Sequence, residues 1–193
     1  MSKPKILVFS GSARRDSVNQ KLATASAEMA REAGAEVTLV SLADYPIPLY
    51  DGDLEVAEGL PENAVKLKAL FVENDALLLA CPEYNGLITP LLKNTIDWLS
   101  RPATDDEPSL SAYTGKVAGL LAASPGGLGG MRGLVHVRSI LGNVGVTVIP
   151  QQFALGGAIQ AFDKSGNLLE DRSKGGVEKV VSALVETTTK LAE

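Results

Sequence analysis

The chain has 193 residues, 45% of them hydrophobic and 21% charged, an ordinary balance for a folded protein that excludes wholesale disorder. A formal net charge of −5 argues against nucleic acid as a partner, and no run of eighteen apolar residues exists to span a membrane. One cysteine, Cys81, excludes an internal disulfide and suits a reducing cytoplasm, and the apolar run within MSKPKILVFSGS is too short for a signal peptide.

Taken in chain order, apolar runs alternate with helical patterns. Strands are predicted at 5–10, 36–41, 75–81, 117–124 and 145–149. Most are near-continuous in Val, Leu, Ile and Ala, the pattern of parallel strands buried on both faces. After the first strand, Val18, Leu22, Ala25 and Met29 recur at helical spacing, with Gly34 as a stop. A helix is predicted over 61–73. In the next, Ile88, Leu92, Ile96 and Leu99 share one face, Thr89 is the N-cap, Pro90 sits in the first turn and Pro102 lies beyond the end. Leu134, Val137 and Leu141 mark another helix, and Val177, Val180, Val181, Leu184, Thr188 and Leu191 the last. Five strands each followed by a helix imply an α/β, doubly wound parallel sheet, because parallel strands need crossover connections. The length suits one domain, 1–193. The connections 42–60, 101–115 and 150–173 exceed what such a fold requires, and loops beyond roughly 12–15 residues are often functional.

Ligands of such sheets bind at the carboxyl ends of the strands. That singles out three turns. The first, GSARRDSVNQ, has one glycine and so lacks the G-x-G-x-x-G spacing of a dinucleotide site; no P-loop pattern occurs either. Instead the hydroxyls of Ser10, Ser12 and Ser17, the amide of Asn19 and the guanidinium of Arg14 or Arg15 surround a helix N-terminus, a setting for a terminal phosphate. The alternative is plainer: Asp16 or Ser17 caps the helix and the arginines are solvated. In the second turn, CPEYNG, Asn85 and Gly86 tolerate positive φ and would leave backbone N–H groups facing outward, free to bond a flat ring. The third, SPGGLGGMRG, puts five glycines into eight residues, which means tight bends or a close approach of backbone to something.

Together GSARRDSVNQKLA, PEYNGLITPLLKNTIDWLSR and SPGGLGGMR resemble the NADPH-dependent FMN reductase family of flavodoxin-like proteins, and within it the bacterial quinone and chromate reductases. The resemblance runs through essentially the whole chain. It implies the strand order 2-1-3-4-5, tightly but non-covalently bound FMN, NAD(P)H as co-substrate and a homodimer or homotetramer in the cytoplasm. It further implies that Ser12, Arg14, Ser17 and Asn19 hold the FMN phosphate. Pro82, Glu83, Tyr84, Asn85 and Gly86 would line the isoalloxazine, and Ser124 with Gly126 and Gly127 would reach its pyrimidine side. Many relatives carry Ser-Ile-Pro-Gly where this chain has Leu87-Ile88-Thr89-Pro90, a change bearing on the cleft above the flavin.

The activity implied is ping-pong transfer of a hydride from the nicotinamide C4 to flavin N5 and then of two electrons to a small-molecule acceptor: a quinone, flavin, azo compound or metal ion. No side-chain acid or base is needed, so none is nominated as catalytic. An electron carrier of the same fold, without NAD(P)H oxidation of its own, is the alternative. His136 lies in a predicted helix with no metal-spaced partners, and no metal site is expected. Cys81 reads as a buried filler, Trp98 as packing or an oligomer contact, and Asp105-Asp106-Glu107 as a solvated loop. Glu83, a carboxylate at a ligand-edge turn, could salt-bridge across a dimer.

Overall fold

A computed structural model describes residues 3–192. Residues 1, 2 and 193 of the expected domain lie outside the described residues. In chain order the elements are β1 (Lys5–Ser10), α1 (Val18–Glu32), β2 (Glu36–Ser41), α2 (Gly52–Glu58), α3 (Glu62–Glu73) and β3 (Ala76–Ala80). There follow a two-residue pair, β4 (Glu83–Tyr84) and β5 (Leu87–Ile88), then α4 (Pro90–Leu99), β6 (Val117–Ala123), α5 (Met131–Asn143), β7 (Thr147–Leu155) and α6 (Asp171–Leu191).

The main sheet has the order β2-β1-β3-β6-β7, all neighbours parallel. Counting only its own strands, this is the 2-1-3-4-5 order expected. The alternation of side chains along each buried strand divides the core into two layers. Leu7, Phe9, Leu77, Leu79, Leu120 and Ala122 face α3, α4 and α5, where Leu67, Phe71, Leu92, Ile96 and Leu134 meet them. Ile6, Val8, Leu78 and Leu121 face α1 and α6, and Leu22, Val177, Val180 and Leu184 close that side. Each fully buried Leu or Ile contributes about 1.5–3 kcal/mol relative to exposure, so both layers stabilise the packing of helices on the sheet. Gly119 lets α6 approach: a Cβ there would stand 3.3 Å from Leu184, Leu78 and Val180 at once.

Helix boundaries follow their caps. Ser17, not Asp16, caps α1, and Thr89 caps α4 as the sequence indicates, with Pro90 as its first residue. Gly34, at φ +96°, ends α1.

Three differences have physical causes. β7 does not stop at Ile149 but runs to Leu155 through Pro150; it is an edge strand, where a missing N–H costs no ladder bond. Its pairing with β6 shifts between Ala118 and Leu120 to absorb the irregularity. The connection 42–60 contains the short helix α2, started by Asp51, whose carboxylate accepts from Asp53 N–H at 2.9 Å. This connection is strapped to α4: Trp98 Nε1 and Asn94 Nδ2 both donate to Pro48 O at 2.8 Å, and the Tyr50 ring meets Trp98 edge-on at 5.0 Å. Finally, Glu107 is no solvated loop residue. Its carboxylate meets Lys68 Nζ at 2.5 Å and accepts from the Ser111 hydroxyl and Ala103 N–H, with Lys68 buried and Glu107 partly so.

Candidate functional site

All three turns singled out from sequence lie at the carboxyl edge of the sheet, after β1, β3 and β6. The first and second are locked together. Gly11 N–H donates to Ala80 O at 3.0 Å, and a Cβ on Gly11 would stand 3.2 Å from both Leu92 Cβ and Pro82 Cδ. The Thr89 hydroxyl donates to Gly11 O at 2.7 Å while accepting from Leu92 N–H at 3.2 Å, so the cap of α4 also fixes the first turn.

Within the first turn, Ser12 and Ser17 are buried. Ser12 Oγ accepts from Arg14 N–H and Ser17 Oγ from Gln20 N–H, each at 3.3 Å, which leaves both hydroxyl protons free to donate. Arg14 and Arg15 are exposed, and neither has an ion-pair partner among the described residues. Among those residues the N–H groups of Ser12, Ala13, Val18 and Asn19 likewise have no acceptor in the chain. Hydroxyl donors, outward N–H groups, the positive end of a fifteen-residue helix and two unpaired guanidiniums form a donor set for a dianionic phosphate.

Asn19 behaves differently. Its Nδ2 donates to Ala123 O at 2.8 Å and its Oδ1 accepts from Ala123 N–H at 2.9 Å. The side chain thereby stitches α1 to the end of β6, and only its second Nδ2 proton and its main-chain N–H remain for a ligand.

The second turn is a hairpin. Glu83 pairs with Ile88 and Tyr84 with Leu87, and Asn85 and Gly86 between them have φ of +53° and +83°, the two-residue turn that Asn-Gly favours. Pro82 is buried and Tyr84 is about half exposed. Glu83 is the anchor of this hairpin. Its side chain is 7% exposed; its Oε1 accepts from Arg132 Nε at 2.8 Å and from Arg132 Nη2, and its Oε2 accepts from Gly133 N–H at 3.1 Å. Burial by itself would raise the Glu83 carboxyl, but Arg132 and the Gly133 N–H outweigh it and hold the group below its ordinary range. Glu83 thus caps α5 from a distance, because the residue at that helix's own N-cap position, Gly130, has no side chain to do so. The salt bridge that the sequence suggested for Glu83 across a dimer is instead made within the chain, to Arg132.

In the third turn, Ser124 N–H donates to Leu155 O and Ser124 O accepts from Ala158 N–H, both at 3.0 Å. The Ser124 hydroxyl bonds Gly126 O at 3.2 Å. The glycines answer the expectation of close backbone approach. A Cβ on Gly129 would lie 2.7 Å from the carbonyl carbons of Ala154 and Leu155, and one on Gly156 would lie 2.6 Å from Gly127 O. By contrast a Cβ on Gly86 or Gly127 would meet nothing within 4 Å, so both glycines border open space. Bare main chain at 85–86 and 126–127, one and two strands away from the phosphate donor set, fits the polarity of FMN.

Arg132 and Gly133 are organising residues that the sequence reading missed, and Thr89, read there only as a helix cap, also holds the first turn through Gly11 O. A helix entered directly from Gly-Gly, with no capping side chain, was the available sign that its cap comes from elsewhere. Cys81 is buried, its thiol pushed far up by burial, and His136 is exposed on α5. Trp98 is fully buried and is packing, not a surface contact. No group of three or more His, Cys, Asp or Glu side chains that could hold a metal occurs among the described residues.

Comparison with known proteins agrees with this geometry. The family model for NADPH-dependent FMN reductase matches residues 4–160. An NAD(P)H-dependent FMN reductase of Pseudomonas aeruginosa is 35% identical over 182 residues, covering 93% of this chain and 92% of the relative. A quinone reductase of Escherichia coli is 34% identical over 158 residues, covering 82% and 80%. Among solved structures, FerB, a flavoenzyme NAD(P)H:(acceptor) oxidoreductase from Paracoccus denitrificans, superposes with a TM-score of 0.79 at 27% identity over 97% of this chain and 98% of that one. An archaeal flavodoxin superposes with a TM-score of 0.63 at 11% identity over 96% and 99%, a likeness of fold alone. The chain therefore belongs to the NADPH-dependent FMN reductase family of oxidoreductases, on a flavodoxin-like fold.

Proposed function

We propose that the protein is an FMN-dependent NAD(P)H oxidoreductase acting on small acceptors such as quinones, flavins, azo compounds or metal ions. One observation carries this reading: the phosphate donor set at 12–19 shares an edge of the sheet with two open main-chain turns, 85–86 and 126–127. Ser12, Ser17 and Arg14 hold the phosphate, with the main-chain N–H groups of the turn and of Asn19. Pro82 and the 83–88 hairpin, braced by Glu83 and Arg132, set the floor for the ring, and Ser124, Gly126 and Gly127 its pyrimidine side. The chemistry supplied there is two-electron transfer from NAD(P)H to an acceptor in alternating half-reactions, with FMN as the tightly held carrier.

No side chain in these turns needs to hold or move a proton. The chain's part is to bind, orient and leave one face of the cleft open to both substrates in turn. An exposed apolar surface on the hairpin and α5, with Leu87, Met131 and Val135 each about half exposed or more, supports self-association. Among the described residues no helix is long and apolar enough to cross a membrane, and the buried, unpaired Cys81 accords with a cytoplasmic setting.

The test is direct. The purified protein is expected to be yellow, and its 450 nm band to bleach rapidly on anaerobic mixing with NADPH or NADH. Initial rates at varied acceptor should give parallel double-reciprocal lines. A colourless protein that takes up no FMN would overturn the reading; a yellow one that NAD(P)H does not bleach would mark an electron carrier.

A further inference from the structure

A groove of about 410 Å³ runs from Gly127 along the end of β7 to the start of α6, lined by Phe153, Gly156 and Gly157 on one side and Glu170, Arg172 and Ser173 on the other. Its size falls in the range of small-ligand sites, roughly 300–1,000 Å³. It begins in the third turn, which the proposed function assigns to the flavin ring, and leads away from it.

The chemistry of the walls is specific. Ser173 is 7% exposed, and its hydroxyl has no hydrogen-bond partner among the described residues. Arg172 is exposed and enters no ion pair among those residues; the neighbouring Lys174 is the one that pairs with Asp171. Arg172 is also in an unfavourable place, because a cation in the first turn of a helix opposes the helix dipole, here that of a 21-residue helix. An anion bound between Arg172 and the helix end would reverse the sign of that interaction. The N–H groups of Gly156, Gly157, Asp171 and Arg172 have no acceptor in the chain among the described residues, which adds main-chain donors to both walls. Phe153 is partly buried and presses its ring edge against α6, where a Cβ on Gly176 would stand 2.3 Å from its Cε2. It therefore offers a held aromatic surface. Glu170, the acid in the groove, can accept hydrogen bonds from sugar hydroxyls or an exocyclic amine but repels a phosphate, so the ligand must carry both kinds of group.

A planar base, a hydroxylated sugar and a phosphate are what these walls match together. We propose that the groove takes the adenosine-phosphate half of NAD(P)H, with the phosphate between Arg172, the Ser173 hydroxyl and the N-terminus of α6, the adenine on Phe153 and Glu170 on the ribose or the adenine amine. The placement rests on the proposed function for its link to the flavin, but the groove's affinity for the nucleotide half stands on its own chemistry.

The experiment separates the two. Binding of 2′,5′-ADP and of 5′-AMP to the whole protein is measured by calorimetry for the unsubstituted chain, Arg172→Ala, Ser173→Ala and Lys179→Ala. Lys179→Ala removes one positive charge from the exposed face of the same helix, outside the groove. In steady-state kinetics, Arg172→Ala should raise KM for the nicotinamide nucleotide about tenfold with kcat and FMN affinity retained, and Ser173→Ala by about threefold; Lys179→Ala should stay within twofold. A rise for NADPH and not NADH, with 2′,5′-ADP binding lost, identifies the 2′-phosphate. An equal rise for both, with 5′-AMP binding lost, identifies the 5′-phosphate. Unchanged nucleotide binding and KM in Arg172→Ala, or an equal loss in Lys179→Ala, would overturn the proposal. If the protein takes up no flavin, calorimetry still decides on the groove while the function proposed above fails separately.

Discussion

At the residue scale, the first turn separates two jobs that its composition blends. Arg14 is exposed and makes no ion pair among the described residues, so its guanidinium is available to an anion. Asn19 is 3% exposed and holds both polar groups of Ala123, so its amide supports the architecture beneath the site. Opposite outcomes are expected from their removal. Arg14→Ala should weaken FMN binding about tenfold, as loss of a charge-assisted hydrogen bond does, and leave the urea midpoint in the flavin-free protein nearly unchanged. Asn19→Ala leaves a buried N–H and C=O unpaired and should lower stability by about 2 kcal/mol. Fluorescence titration of FMN and urea unfolding of the flavin-free protein would show this crossing of effects. Serine, arginine and asparagine in one turn signalled an anion site in the sequence. The division of labour did not show, because Ala123 is 104 residues away and only the folded chain brings it near.

At the element scale, the long connections proved to be strapped segments. The ion pair of Lys68 on α3 with Glu107 holds the 101–115 connection, and Lys68 Nζ also donates to Arg101 O at 2.6 Å. Burial by itself would raise the Glu107 carboxyl, but Lys68, Ser111 and the Ala103 N–H together hold it down at about 2, against 4.5 for an ordinary glutamate. A carboxyl whose folded value is depressed stabilises the fold fully above its unfolded value and loses that contribution as pH falls toward the folded one. The protein should therefore lose stability as pH drops from about 5 toward 2. Glu107→Ala should cost about 3 kcal/mol at neutral pH, since it strands a buried ammonium, and should flatten that acid dependence. Denaturant midpoints recorded across the acid range would show both effects. Asp105-Asp106-Glu107 looks like any acidic loop in the sequence; which of the three turns inward depends on where α3 places Lys68. The hairpin at 83–88 is the converse case. Asn85-Gly86 announced a turn by residue type alone, since few other pairs accept two successive positive φ values. That the turn would be clamped by a cap for α5, 50 residues on, could not be seen locally.

At the scale of the whole molecule, part of the apolar surface left over after both core layers are filled forms a group on the hairpin and α5 beside the site. Tyr84, Leu87, Met131 and Val135 are 48%, 53%, 47% and 62% exposed, and Leu87 also walls an apolar cavity of about 420 Å³ with Ile88, His136 and Ile140. A surface of this kind is expected to be covered by a second copy. Sedimentation analysis should show an oligomer, and Val135→Asp, which puts a charge at its centre, should shift the mass toward the monomer with little change in the far-ultraviolet spectrum. A monomer at micromolar concentration in the unsubstituted chain would count against self-association through this face.

The sequence by itself determined the strands of the sheet, every helix but α2, the Thr89 cap, the winding order through its likeness to a family, and three unusual turns at the carboxyl edge where a ligand is expected. These are legible because they depend on period, on caps a few residues apart and on glycines that only particular backbone angles require. The tertiary structure alone decided what each polar side chain in those turns does. It turned Glu83 into a remote helix cap, Asn19 into a tie to β6 and Glu107 into the ion-pair partner of the buried Lys68. It also brought Arg172 and Ser173 to a groove that starts at Gly127. The physical reason is common to all four: the energy of a charge or hydrogen bond depends on its partner and its burial, and those are set by residues distant in the chain.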